Sequence, residues 1–92
     1  MGRSRRPRPR RLALKLRQIR LGLDLTQAQM FERLGDTGTA LYAGHISLYE
    51  RGQREPPLTV LLKYAQLAGV IVDVLIDDEI DLPAQLARKE SP

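Results

Sequence analysis

Ninety-two residues, 42% hydrophobic and 28% charged, make one small domain with a thin core and modest stability. Cysteine is absent and histidine occurs once, at His45, which excludes a disulfide framework, a thiolate or histidine-rich metal site and a nucleophile–base pair; a reducing compartment fits. The net charge of +4 hides a polarity: residues 1–20 hold eight arginines, one lysine and no acid, whereas residues 73–81 hold five acids and no base.

The basic head points to a polyanion, although a solvated tail would have the same composition. Residues 1–9 read as a flexible basic arm, with too little apolar content to offset the entropy of ordering. No hydrophobic region of a signal peptide follows, and no apolar run approaches the ~18 residues that would span a membrane. Pro9 suits a first helical turn. Leu12, Leu16, Ile19 and Leu23 recur at i, i+4, i+7 and i+11, which predicts a first helix from about Arg10 to Leu21, closed by Gly22.

Thr26 with Gln29 forms a capping box, and Leu25 with Met30 a hydrophobic staple. Met30, Phe31 and Leu34 share one face of this second helix, and Gly35 stops it. Tyr42, Ile46 and Tyr49 predict a third helix with those three on its buried stripe, ended by Gly52. Pro56 and Pro57 stiffen the next connection and pre-set a fourth helix. Its stripe is read as Leu58, Leu61, Leu62, Ala65 and Ala68, with Gly69 as the stop.

Val70–Ile76 has the β-branched content of a strand. One strand without a partner would leave its backbone groups unpaired, so a helix of one to two turns is expected. Asp77–Asp81 is read as an acidic turn, and the cluster Asp73–Asp81 as a solvated acidic edge, because it lacks the alternating ligands and internal glycine of a calcium loop. Leu82–Pro92 reads as a polar tail with one turn at Ala84–Ala87. The division is thus a basic arm at 1–9, one domain at 10–76 and an acidic, polar tail at 77–92.

Together these residues form a recognisable set. Arg20, Gly22, Leu25-Thr26-Gln27, Leu34-Gly35, Ile46-Ser47, Tyr49-Glu50-Arg51-Gly52, Pro57, Leu61-Leu62, Ala65 and Ala68-Gly69-Val70 resemble the Cro/CI-type (XRE-like) helix-turn-helix family, over about Leu12 to Ile76. The resemblance implies an all-α, compact five-helix, lambda-repressor-like domain whose recognition helix, about Tyr42–Arg51, enters the major groove. Four departures stand out. The segment DTGTALYAGH makes the turn about five residues longer than the family's, so either the loop is extended or the third helix begins early with Thr39 as its cap. Phe31 stands where the family usually has alanine, which predicts a wider separation of the motif helices. Ala43 and Gly44 stand where polar base-reading side chains are frequent, and Ile71 where a helix cap is usual.

By the same resemblance, Gln27 bonds a phosphate at the start of the second helix. Gln53 and Arg54 touch the backbone, which fixes register without reading sequence. Tyr42, Gly44, His45, Ser47 and Leu48 surround the reading face, with Tyr42 read either as exposed there or as buried with Ile46. Arg20 and Glu50 are implied as a salt bridge beneath the DNA-facing surface. Arg5 and Arg6 of the arm are expected to add phosphate or minor-groove contacts.

The expected function is sequence-specific binding of double-stranded DNA and transcriptional regulation, most often repression, by a homodimer. The dimer interface is expected along Val70–Ile76 with Ile80 and Leu82. The alternative is an antitoxin-type module that neutralises a partner toxin and represses its own operon. No enzymatic activity, cofactor, metal or membrane partner is expected, and the expected location is the cytoplasm, at the nucleoid.

Overall fold

The computed structural model describes residues 8–86. Five helices follow one another: α1 (Leu12–Gly22), α2 (Gln27–Leu34), α3 (Gly44–Glu50), α4 (Leu58–Ala68) and α5 (Val72–Ile76). No strand occurs among the described residues, and the β-branched run ends in a helix. Among them, no helix is long and apolar enough to cross a membrane. Helix α1 packs against α3, α4 and α5, and α2 against α3 and α4. One core joins all five through Leu12, Leu16, Ile19, Met30, Leu34, Ile46, Tyr49, Val60, Leu61, Tyr64, Ala65, Ala68 and Leu75.

Helix ends follow local chemistry. Thr26 Oγ1 accepts from the Gln29 N–H at 3.0 Å while the Gln29 side chain accepts from the Thr26 N–H at 2.9 Å, so the capping box is reciprocal. Three helices close with the same paired backbone bonds, the wrap-around that needs a left-handed residue just past the end. After α3 the residue is Gly52 and after α4 it is Gly69. After α1 it is Asp24 at φ 66, not a glycine. Gly22 was expected to close α1; it lies inside the helix, and Asp24 makes the turn instead.

Helix α4 is rotated relative to the expected stripe. Val60 and Tyr64 are fully buried, whereas Leu58 is 79% and Leu62 47% exposed. Thr59, Lys63 and Gln66 recur at i, i+4 and i+7 and mark the outward side, which Leu58 and Leu62 flank, so Val60 and Tyr64 turn inward with Leu61, Ala65 and Ala68.

The acidic edge is exposed at Asp73, Asp77, Glu79 and Asp81, and Asp78 alone is drawn in. The Asp78 carboxylate accepts from the backbone N–H groups of Arg10 and Arg11 at 2.9 and 3.0 Å. These bonds hold its pKa below the ordinary 3.8. It ties down the two residues that lead into α1, whose N-cap position, Arg11, has no side-chain cap, and places a negative charge near the helix start. Pro9 consequently lies ahead of the helix, not in its first turn. The Arg11 guanidinium bonds the Asp78 carbonyl at 2.6 Å and the Asp81 carboxylate. Lys15 is 1% exposed, and its ammonium donates to the carbonyls of Val74, Asp77 and Ile80 at 2.7, 2.9 and 2.6 Å. Burial pulls its pKa down. Beyond this turn Leu82 and Leu86 pack on the core. Residues 84–86 form no helix, and Ala87 lies outside the described residues.

Candidate nucleic-acid interface

Arg20, near the end of α1, donates through Nε to Glu50 Oε2 at 2.7 Å and through Nη2 to Glu50 Oε1 at 3.0 Å. Its Nη1 also holds the Leu25 carbonyl at 3.0 Å, directly before the cap of α2. Gln27 Nε2 adds a bond of 3.3 Å to Glu50 Oε1. Side-chain exposure is 12% for Arg20 and 3% for Glu50. The carboxylate raises the arginine's pKa, chiefly through the hydrogen bond. A planar fork suits this bidentate geometry, which fixes orientation as well as distance. One guanidinium therefore ties the end of α1, the entry to α2 and the last residue of α3 into one frame. Gln27 is turned inward to that frame by one N–H, leaving the rest of its amide group for other partners.

The connection between α2 and α3 is a long loop, so the third helix does not begin early at Thr39. It is anchored by Thr37, 6% exposed, and by Leu41, which packs on the core. Asp36 Oδ1 accepts from the Gly38 N–H at 2.9 Å, making a local side-chain turn. Tyr42 stands ahead of α3 and is 71% exposed. It is therefore neither on the helix nor on its buried stripe; Leu41 takes the inward place. Phe31 is partly buried at the margin of the core, while Met30 and Leu34 fill its interior.

Helix α3 is shorter than its sequence suggests, seven residues with Ala43 as an N-cap that makes no side-chain bond. Its entry is tightened by bonds from the His45 N–H to the Tyr42 carbonyl and from the Ile46 N–H to the Ala43 carbonyl. Ile46 and Tyr49 face the core, and burial raises the Tyr49 pKa. Successive helical residues are rotated by about 100°, which sends Ser47 and Leu48 away from Ile46. Both are half-buried, and Gly44 is exposed at the start of the helix. A Cβ added at Gly44 would meet nothing within 4 Å, so no packing demand explains that glycine.

Gln53 and Arg54 are exposed just after α3. Arg5 and Arg6 lie outside the described residues. Two cations that were not singled out stand beside these positions. Arg51, exposed, folds its Nε back to the Ser47 carbonyl at 3.3 Å. Arg8 approaches Glu55 at 3.7 Å and brings the root of the arm to the α3–α4 connection. Arg8, Arg10 and Arg54 line a shallow cleft of about 150 Å³ there, with Tyr49 and Gly52. The density of arginine was visible in the sequence; which arginines meet depended on a contact 47 residues apart along the chain (Arg8 to Glu55).

A family model described as helix-turn-helix matches residues 16–75, from within α1 to within α5. No curated protein and no solved structure matches the chain.

Proposed function

This chain belongs to the Cro/CI-type (XRE-like) helix-turn-helix family of DNA-binding regulators, and from that premise we propose that it binds a specific, near-palindromic duplex as a two-fold dimer and represses transcription by occluding a promoter. The observation that carries this reading is the frame of Arg20, Gln27 and Glu50. It ties the last residue of α3 to the entry of α2, with Gln27 on the frame and Gln53 and Arg54 exposed just after α3. In this reading Gln27, Gln53, Arg54 and the arm residues Arg5 and Arg6 hold phosphates or the minor groove. His45 and Ser47 read bases, beside Tyr42, Gly44 and Leu48. A gel shift with pooled random duplexes, followed by selection of the bound fraction, tests it. The expected result is one enriched motif, with Gln27→Ala and Arg54→Ala weakening all sequences about equally. Binding with no enriched motif would refute sequence-specific regulation.

The dimer would use Ile71, Ile76 and Ile80, which are 66, 43 and 36% exposed. Leu75, part of the run expected to form that interface, is fully buried in this chain's own core and is not available. A monomer by light scattering at high concentration, both free and on DNA, would sink the dimer. The antitoxin-type alternative draws support from Leu58 and Leu62, apolar and outward on α4. A neighbouring toxin gene, whose product co-purifies with the chain and is lost with Leu58→Asp, is the result that would favour it.

A further inference from the structure

The long connection before α3 sets the chemistry of one side chain. The backbone N–H of Tyr42 donates to His45 Nδ1 at 2.9 Å, and the His45 N–H donates back to the Tyr42 carbonyl at 2.9 Å. The imidazole is stacked against the Tyr42 ring, with centroids 5.4 Å apart and planes 17° apart. It is stacked also against Tyr49, at 6.0 Å and 20°. Tyr49 is 2% exposed and rooted in the core, so the series of rings runs from the core to the exposed Tyr42.

A ring nitrogen that accepts a hydrogen bond carries no proton, so in the neutral imidazole the proton sits on the other nitrogen. His45 therefore presents Nε2–H. Among the described residues the Tyr64 hydroxyl is the one fully buried side-chain polar atom without a partner. No bond to His45 Nε2 is formed among them, so on this half-buried ring it is an accessible free donor.

We propose that His45 is a donor-only base reader, whose tautomer and ring plane are imposed by the extended turn. The proposal rests on the duplex-binding reading above and specifies what that site recognises. Tyr42 becomes a positioning residue: its amide fixes the tautomer and its ring supports the plane. In the major groove guanine offers two acceptors, N7 and O6, and thymine offers O4. Adenine pairs its N7 acceptor with an amino donor, and cytosine offers only an amino donor. A donor without an acceptor is thus matched by guanine and rejected by cytosine. A phosphate oxygen would also accept from Nε2–H, but it would confer no preference among bases.

Two measurements on the full chain test this. Nitrogen NMR of the imidazole in the free protein should show the Nε2–H tautomer alone, and the Tyr42 amide should lose protection from hydrogen exchange in His45→Ala. Binding-site selection should show guanine favoured and cytosine excluded at one position of each half-site. His45→Phe keeps a ring for stacking and removes the donor; the guanine preference there should fall about tenfold or more, with other positions unchanged. His45→Gln, with an amide that both donates and accepts, is the second variant and should shift that position towards adenine. Tyr42→Ala should keep guanine as the preferred base but weaken the preference.

A mixture of tautomers overturns the proposal, as does an unchanged preference in both His45 variants. Uniform weakening on every sequence also overturns it, because the contact is then to phosphate. If the wild type enriches no duplex while the NMR still shows one tautomer, the regulator reading has failed and this proposal falls with it. An enriched motif unaltered by the His45 variants removes this proposal alone.

Discussion

Helix α1 carries two buried cations, and the chain treats them in opposite ways. Arg20 meets a carboxylate, Glu50, through two parallel bonds. Lys15 lies deeper, and its nearest oxygens are the three backbone carbonyls of Val74, Asp77 and Ile80. The difference follows from shape. A guanidinium is a flat fork that matches a carboxylate, and an ammonium is a point charge with three diverging donors. The fork sets an orientation and sits between the end of α3 and the entry to α2. The point charge gathers carbonyls from the end of α5 and the acidic turn, and it sits on the opposite, anchoring side. One region is built for angular precision and the other for tying down chain.

Breaking the fork should have the largest effect. Glu50→Ala strands a buried arginine and is expected to destabilise by about 3–5 kcal/mol. With Arg20→Ala added, the total should be less than the sum of the two single changes. Chemical denaturation of the four proteins checks this, and strict additivity would show that the pair is not coupled. DNA affinity of Glu50→Ala should also fall under conditions where it remains folded, because the entry to α2 loses its frame.

Lys15→Met keeps the apolar stem and removes the charge. Three carbonyls lose their donor, but they lie in a turn that water can reach on local opening. A cost of about 1–3 kcal/mol is expected, the range for an abandoned buried acceptor. The contrast with Arg20 is sharpened by location. Hydrogen exchange should accelerate across residues 77–86 while affinity for duplex DNA is retained. A loss of DNA binding equal to that of Glu50→Ala would erase the distinction between the two regions.

Tyr64 offers a smaller test on the fork's side. Its side chain is fully buried, its hydroxyl has no hydrogen-bond partner among the described residues, and burial drives its pKa up. Tyr64→Phe deletes the unsatisfied group and should leave stability unchanged or raise it by about 1 kcal/mol in urea. A clear loss of stability would reveal a bond to that hydroxyl.

The smallest effect concerns pH on the anchoring side. Asp78 is held below its ordinary pKa of 3.8 by the N–H groups of Arg10 and Arg11, just ahead of α1. A depressed carboxylate contributes stability above its unfolded pKa, and that contribution disappears as the pH falls through the folded value. Thermal melts between pH 5 and about pH 2 should therefore fall more steeply for the wild type than for Asp78→Asn. Parallel curves would mean the carboxylate does not hold the helix start.

Much of this molecule was written locally. The capping box of Thr26 and Gln29, the stops at Gly52 and Gly69, and the stripes of α1 and α2 are properties of a few adjacent residues. They set five helices in order, and the family resemblance pointed to Arg20 and Glu50. Other features depended on residues far apart. Arg10 and Arg11 find Asp78 across 68 and 67 positions, and Lys15 finds its carbonyls across 59 to 65. No local rule pairs a lysine with backbone carbonyls, since every residue carries one. The inward face of α4, by contrast, was legible in the polar stripe of Thr59, Lys63 and Gln66, which leaves Val60 and Tyr64 inward and Leu58 and Leu62 at the margin. Tyr42 moved out of the core because Leu41 and Thr37 anchor the long loop, and only that loop brings a backbone N–H to the His45 ring.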